Sequence, residues 1–477
     1  MSIVKNISIL SVFLCAGCSF FETTSELSLN PVSVPKKWSA VDGKRDSGFL
    51  PNDWNEAILS FNDHLLSDVL NRALESNSDI YIANLNIEKA RATTSGKFLE
   101  YLPTLSYSTS INNQKYIQNG ISMNTASADL TFSWNIGPWG SAPRTIDKYM
   151  WSECYYKSEF MITLTDIIYE VASTYWSLAA YNEKIRLQRK NISTYNDILG
   201  QVLSKYNAGL ISEDEVLQAK NALLQQESIL HDLFEKRLNN KNKLQTLLDI
   251  KTTNENFVYE SQYLPRYNDF SEWMLKKPIN VLKKRPDIIA AYSLLKEGEA
   301  SVDVAKKSFL PELSFSNVLT SAFNTGQSLN TLTSNVIYPF LASGTLLNNL
   351  KSERVQLSIY KASLLKSVLE AIESVNNLLM QRRTLINKLI MTDNAIMNAK
   401  KQELLSENKW KAGLIDLKSL LSYRAERISN EYDELSIRED LLIASFKLLI
   451  EQGILIPTNN LLAKDKSCSF NENGFIE

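Results

Sequence analysis

The sequence predicts a mainly α-helical chain with a membrane β-barrel portion, laid out as one helix–strand–strand–helix–helix unit written twice. Three observations predict it. Short motifs recur at a nearly fixed offset. Pro103 and Pro311, Leu105 and Leu313, and Asp79-Ile80 and Asp287-Ile288 lie 208 residues apart, whereas YNAGLI at 206–211 and WKAGLI at 410–415 lie 204 apart. Long stretches carry apolar residues at three, four and seven positions, the period of packed helices. Between them, short stretches alternate apolar and small polar residues, the period of strands. The change of offset makes the strand region about four residues longer in the first copy.

The elements follow in order. MSIVKNISILSVFLCAGCSF opens with Lys5 and an apolar run, Ile7 to Ala16, that is too short to span a bilayer, so residues 1–17 read as a signal peptide. Leu14-Cys15-Ala16-Gly17-Cys18 resembles a bacterial lipobox, with Cys15 where Leu is usual; cleavage would leave Cys18 to carry lipid, and Ser19 after it suits the outer membrane. Residues 18–60 mix Pro, Ser and charge and read as a lipidated tether. The first repeat covers 61–255, with helices about 65–100, 144–206 and 213–250 and strands about 104–117 and 126–137. A linker at 256–285 leads to the second repeat, 286–455, with helices about 286–308, 345–410 and 416–452 and strands about 312–323 and 332–341. The tail 456–477 has no helical seam and is expected to be disordered.

The long helices are seamed. Met161, Leu164, Ile168, Val171, Tyr175 and Leu178 recur at three and four, as do Leu364, Val368, Ala371, Val375 and Leu378. Leu421, Ile428, Leu435, Leu442 and Leu449 are each seven apart. A sustained seven-residue repeat implies coiled-coil packing. At 1.5 Å per residue, a helix of some 60 residues is on the order of 90 Å long.

The strand ASADLTFSWNI at 126–136 sets one apolar face against one polar face. Polarity places Leu130, Phe132 and Trp134 toward lipid and Asp129, Thr131, Ser133 and Asn135 toward a wet lumen; in the second unit Leu332, Ser334, Val336, Tyr338 and Phe340 line one face, with Tyr338 toward lipid. Four strands cannot close a barrel, because the smallest outer-membrane barrels have about eight and an open edge in lipid leaves backbone groups unpaired. Several chains must contribute, and a wet bore favours three or more.

Other classes find little support. The formal net charge is -2, so no basic excess is available for nucleic acid. His64 and His231 are the only histidines and lie far apart; Cys154 and Cys468 read as lone thiols outside any C-x-x-C pair; no metal site or cofactor is expected. There is no G-x-S-x-G, no phosphate-binding glycine loop and no H-E-x-x-H, which argues against an enzyme. A non-conducting, periplasm-spanning coiled-coil lipoprotein is the alternative, and the strands count against it.

KKRPDIIAAYSLLKEGEASVDVAKKSFLPELSFS at 283–316 carries Arg285, Pro286, Asp287, Ile288, Ala290, Ala291, Phe309, Pro311 and Leu313 in a pattern that resembles the TolC-like outer membrane efflux proteins, in their lipidated NodT/OprM-type branch. YPFLASG at 338–344, YNAGLISEDEVLQA at 206–219 and WKAGLIDLKSLLSY at 410–423 extend the resemblance over about 60–455. It implies a homotrimer with a twelve-stranded barrel in outer membrane lipid, continued by a helical tunnel across the periplasm. It also implies passive conduction from an inner-membrane pump, expected to be proton-driven, through a periplasmic adaptor (membrane fusion) protein. The family's adaptor-contacting tips fall on Tyr206, Ala208, Gly209, Leu210, Trp410, Ala412, Gly413 and Leu414. Where family members commonly carry gate aspartates, this chain has Ser419 and Ser422. Asp416, with Glu213, Asp214 and Glu215, is the substitute acidic set for a periplasmic gate, with Lys418 partly offsetting it.

Overall fold

The computed structural model describes residues 54–115, 122–250, 259–266, 278–323, 326–339 and 343–454, together with Pro35, Trp38, Gly120 and Cys468. The signal segment, Cys18, Phe340 and all of the tail except Cys468 lie outside the described residues.

Three short helices come first: α1 (Trp54–Leu59), α2 (His64–Ser76) and α3 (Ser78–Leu99). The sequence pattern suggests one helix over this stretch; the structure breaks it at Asn77, which is extended at ψ 127. Its side-chain oxygen accepts from the backbone N–H of Asp79 and Ile80, the capping role for which Asn is suited. Strands β1 (Thr104–Lys115) and β2 (Ser122–Pro138) follow, then α4 (Ser141–Asn207) and α5 (Glu213–Leu247). The second unit contains α6 (Pro278–Leu282), α7 (Pro286–Lys307), β3 (Glu312–Ala322), β4 (Gln327–Ile337), α8 (Ser343–Lys411) and α9 (Leu417–Glu451).

Strand β4 is displaced from the expected 332–341. It starts at Gln327 because Gln327 and Ser328 join the backbone ladder opposite Ala322 and Ser321, whatever their polarity. It stops before Pro339, which has no N–H to give a ladder. Tyr338 therefore sits just beyond the strand, about half exposed.

The four strands form one antiparallel sheet in the order β1-β2-β3-β4. Its register collects the apolar side chains on one face. Leu105 pairs with Phe132, Tyr107 with Leu130, Leu130 with Leu319, Trp134 with Phe315 and Leu313 with Val336. Ser106 opposite Thr131, Ser108 opposite Asp129 and Asp129 opposite Thr320 lie on the other face. One shift of register between Asn135 and Gly137 bulges β2 near α4, and Gly137 and Pro138 then pair with Leu313 and Glu312.

The main core lies where short and long helices meet. Ile58, Phe61, Leu66, Val69 and Leu70 pack with Ile168, Val171, Tyr175, Trp176 and Leu178 of α4, Leu244 of α5, and Leu442, Phe446 and Leu449 of α9. Phe61, Trp176 and Phe446 form an aromatic triad with centroids 5.2 to 5.6 Å apart. The α4 seam read from the sequence is buried here with Leu442 and Leu449 of α9, and Ile428 and Leu435 are buried farther along α9. Trp38, in the stretch read as a tether, is buried against Val281, Val375, Leu378 and Leu448.

The two cysteines read as lone thiols are joined: Cys154 and Cys468 form a disulfide across 314 residues of sequence, with Cα atoms 5.4 Å apart. The fold brings them together, and nothing local in the sequence pairs them. Cys468 is buried.

Asp63 binds α2 to the core. It caps α2 through Leu66 N and accepts from the Tyr175 hydroxyl at 2.9 Å and the Trp176 indole at 3.3 Å. Burial first, then the Asp63 charge, pushes the Tyr175 phenol far above its usual range. Asp63→Ala strands two buried donors, each costing about 1–3 kcal/mol. The expected outcome is a lower unfolding temperature for the purified protein, with Asp63→Asn less affected; equal melting of Asp63→Ala and wild type would show that Asp63 is not a structural tie.

Candidate functional site

Three parts can act together as a passage: the polar sheet face, the long hairpins and their tips. On the sheet, Asp129, Thr131 and Ser133 share the polar face, and Thr320 Oγ1 donates to Asp129 at 2.6 Å. Asn135 turns its side chain to the backbone instead, accepting from Gly137 N at 2.8 Å. Leu130, Phe132 and Trp134 are on the apolar face, each about two-fifths exposed in the single chain. The Trp134 indole N–H donates to Tyr101 O at 2.9 Å, so its polar edge is satisfied while the ring stays apolar.

The hairpins carry the passage away from the sheet. Helices α4 and α8 have 67 and 69 residues. Each is roughly 100 Å long at 1.5 Å per residue. On α8, Leu369, Met380 and Met391 are eleven apart and Ile390, Met397 and Leu404 are seven apart, and all are exposed in the single chain. Both spacings keep side chains on one face of a helix.

The tips are built alike. At the first, Gly209 has φ 70 and Leu210 N donates to Lys205 O; at the second, Gly413 has φ 74 and Leu414 N donates to Lys409 O. This is the left-handed glycine cap that closes a helix end, and a side chain there would be strained. Ala208, Ala412, Leu210 and Leu414 are exposed, the last two at 73%, and Tyr206 is 41% exposed. Trp410 differs from its tip neighbours. It is only 3% exposed, packed with Ile198, Val202, Val216, Leu417 and Leu420, with the Lys205 ammonium 4.0 Å from its ring centroid. Its ring holds the two tips together rather than facing outward.

The acidic set lies at helix starts. Glu213, Asp214 and Glu215 occupy the first turn of α5, where negative charge complements the helix dipole. Asp214 accepts from Gln218 at 2.6 Å. Asp416 caps α9 by accepting from Ser419 N at 3.0 Å, and Ser422 donates to Ser419 O at 2.8 Å. Lys418 is exposed beside them.

One feature escapes a reading of the sequence. Between the main core and the tip cluster, the α4–α9 contact turns polar. Arg438 bonds Glu183 at 2.6 Å, Tyr432 donates to Gln188 at 2.6 Å, and Arg427 donates to Asn191 at 3.2 Å. Arg424 and Arg427 also bind Glu403 of α8. Among the described residues, the buried side-chain donors without a hydrogen-bond partner are on Asn191, Arg424 and Arg438, all in this stretch. The signal was present as arginines flanking Leu421, Ile428 and Leu435 in the seven-residue seam, but charge beside a seam ordinarily reads as solvated surface.

The Ser419 side-chain and backbone hydrogen bonds hold the Asp416 carboxyl below the usual carboxylate range. A carboxyl whose folded pKa is lowered stabilises at neutral pH, and that contribution is lost as pH falls through the lowered value. The protection factor of the Ser419 amide should therefore fall in acid, and Asp416→Asn, which keeps a capping oxygen, should abolish the dependence. A flat wild-type profile would remove the Asp416 carboxylate as the acceptor.

The family described as outer membrane efflux protein matches residues 69–249 and 278–449. The chain is similar to the solvent efflux pump outer membrane protein SrpC of Pseudomonas putida, 23% identical over 467 residues that take in 93% of this chain and 97% of that protein. It is similar to the pyoverdine export outer membrane protein OpmQ of Pseudomonas aeruginosa, 24% identical over 444 residues, 88% of this chain and 90% of that protein. Among solved structures, the outer-membrane channel OprN matches with a TM-score of 0.79 at 18% identity, over 89% of this chain and 98% of that one. The Campylobacter jejuni CmeC outer membrane channel matches with a TM-score of 0.79 at 18% identity, over 91% and 94%. At these identities the structures speak for the fold, while the family match spans both repeats. The chain belongs to the outer membrane efflux protein family, the outer membrane channels of tripartite efflux systems.

Proposed function

We propose that three copies of this chain close one twelve-stranded barrel and one tunnel, and that substrates pass through it passively from an adaptor and an inner-membrane pump. The observation that carries this reading is the open sheet. Strands β1 and β4 are edges with an apolar face between them, and unpaired edges are excluded from lipid. Pairing β4 of one copy with β1 of the next removes every edge. The exposed apolar face of α8 gains a cover by the same rotation. Members of this family form trimers and work with an adaptor and a pump.

Finer assignments rest on the sequence and on the tip geometry. Cys18 would carry the lipid, and Tyr206, Ala208, Gly209, Leu210, Ala412, Gly413 and Leu414 would meet the adaptor, with Trp410 holding the tips in place. Leu210 and Leu414 are equivalent, apolar and uncovered, which suits a hydrophobic partner surface. Three copies of Asp416, with Glu213, Asp214 and Glu215, would ring the periplasmic mouth. The pump would be proton-driven, as the sequence resemblance implies, and relatives named for solvent efflux and multidrug resistance suit small-molecule cargo.

The native mass of detergent-extracted protein should equal three chains, and the trimer should conduct ions in a planar bilayer. A stable monomer would overturn the shared barrel. Leu210→Asp with Leu414→Asp should abolish export and adaptor crosslinking while leaving mass and conductance unchanged; full export by that variant would remove the tips as the contact. Asp416→Asn should lower cation preference at the mouth, and an unaltered ion selectivity would count against an acidic ring there.

A further inference from the structure

We propose that Cys154 and Cys468 are the substrate of a periplasmic dithiol oxidase, and that their disulfide latches the C-terminal segment onto α4 as the last covalent step of folding. The proposal rests on the outer membrane reading for its compartment.

The geometry places the latch. Helix α3 meets α4 through Thr94, whose hydroxyl donates to Tyr149 O, and through Arg91 with Glu153. Helix α7 meets it through Tyr292, whose ring stands edge-on to Trp151 at 5.9 Å. Cys154 is one helical turn along α4 from Trp151, and it is buried, as are Lys157, Ser158 and Met161. The last turns of α9 are level with Tyr169, where Lys447 lies over the ring at 5.0 Å. From Tyr169 to Cys154 is fifteen residues, roughly 22 Å of helix toward the sheet. The disulfide thus fixes Cys468 to α4 at a level nearer the sheet than the last turns of α9.

The cysteine count fits one outcome. The sequence has Cys15, Cys18, Cys154 and Cys468. With Cys15 removed in the signal peptide and the Cys18 sulfur held in a thioether to lipid, one pairing within the chain remains. The bond spans 314 residues, so it closes only after the second repeat has folded back on the first. Loops of that length gain most from closure in the chain-entropy account.

The chemistry balances. A thiolate of one cysteine attacks the disulfide of an oxidised dithiol protein, forming a mixed disulfide and releasing one donor thiolate. The second cysteine thiolate attacks the chain's own sulfur, forming Cys154–Cys468 and releasing the other donor thiolate. Two protons pass from the cysteines to the donor thiolates, and two electrons reduce the donor.

Full-length protein from outer membranes, acid-quenched, denatured and labelled with maleimide-polyethylene glycol, tests this. Reduction before labelling should add two adducts, and Cys468→Ser should abolish the gain; no gain in the wild type, or an intact gain in Cys468→Ser, overturns the pairing. The count before reduction reports Cys18 separately, so failure of lipidation and failure of the latch are distinct. In cells without a periplasmic dithiol oxidase the two thiols should label without reduction, and persistence of the full gain would remove the oxidase. Cys154→Ser with Cys468→Ser should lower the temperature at which the trimer dissociates by several degrees, as reductant should for the wild type. Unchanged dissociation in both would overturn the latch.

Discussion

Each repeat is held shut at its base by one polar tie, and the long hairpins depend on it. In the first repeat Asn77, at the start of α3, donates to Leu247 O at the end of α5. In the second, Arg285, at the start of α7, binds Glu451 at the end of α9. Asn77 and Arg285 are 208 residues apart, and Leu247 and Glu451 are 204 apart, the two offsets of the duplication itself. The same junction is thus closed by two chemistries. Without it, a return helix of 35 residues has no fixed end from which to hold its partner in register. Ser76 reinforces the first tie through Leu248 O, and Asp287 the second through Arg285.

The seam between the two hairpins then changes character along its length. It is apolar and aromatic at the base, polar from Glu183 to Asn191, and apolar again at the tip around Trp410. Apolar packing is non-directional and tolerates small shifts, whereas the paired side chains of the middle stretch fix distances. Buried ion pairs contribute little net stability, because desolvation offsets their attraction. The middle stretch is therefore better understood as setting the register of α9 on α4 than as holding it there. Burial raises the pKa of Glu434 and Glu439 beside it, so keeping those carboxylates charged costs stability at neutral pH.

Much of this was legible in the sequence for physical reasons. Helix–turn–helix tips showed because a tight reversal needs a left-handed residue, and Gly209 and Gly413 supply it at matching places. The seams showed because burial enforces periodicity, as at Ile428, Leu435 and Leu442. The strand faces showed because alternation is geometric: Leu130 and Phe132 fall on one face whatever their neighbours. What did not show is what depends on contacts distant in sequence. Cys154 and Cys468 carry no local signal of pairing, Trp38 lies in a stretch without period, and Trp410 at a surface turn gives no hint that its ring points inward. The strand ends differ from the sequence pattern for the opposite reason. Polar residues such as Gln327 extend a ladder that side-chain alternation cannot see.

The sheet and the helices also constrain one another. A four-stranded sheet twisted by its register cannot close, so the barrel size is set by how many copies meet. The number of wall helices is set by the same count, because β2 runs into α4 within three residues and β4 into α8 within six. Connections that short leave no freedom for the barrel and the tunnel to adopt different symmetries. A change of copy number that suited the strands would have to suit helix seams of fixed seven-residue period at the same time. Gly137 and Gly140, both with positive φ, turn the chain at the first of these junctions, where the ladder is shifted and the strand axis gives way to the helix axis. The duplication thus does more than repeat a motif: it supplies two strands and one hairpin per half in fixed proportion, so that any ring closing the barrel also closes the wall.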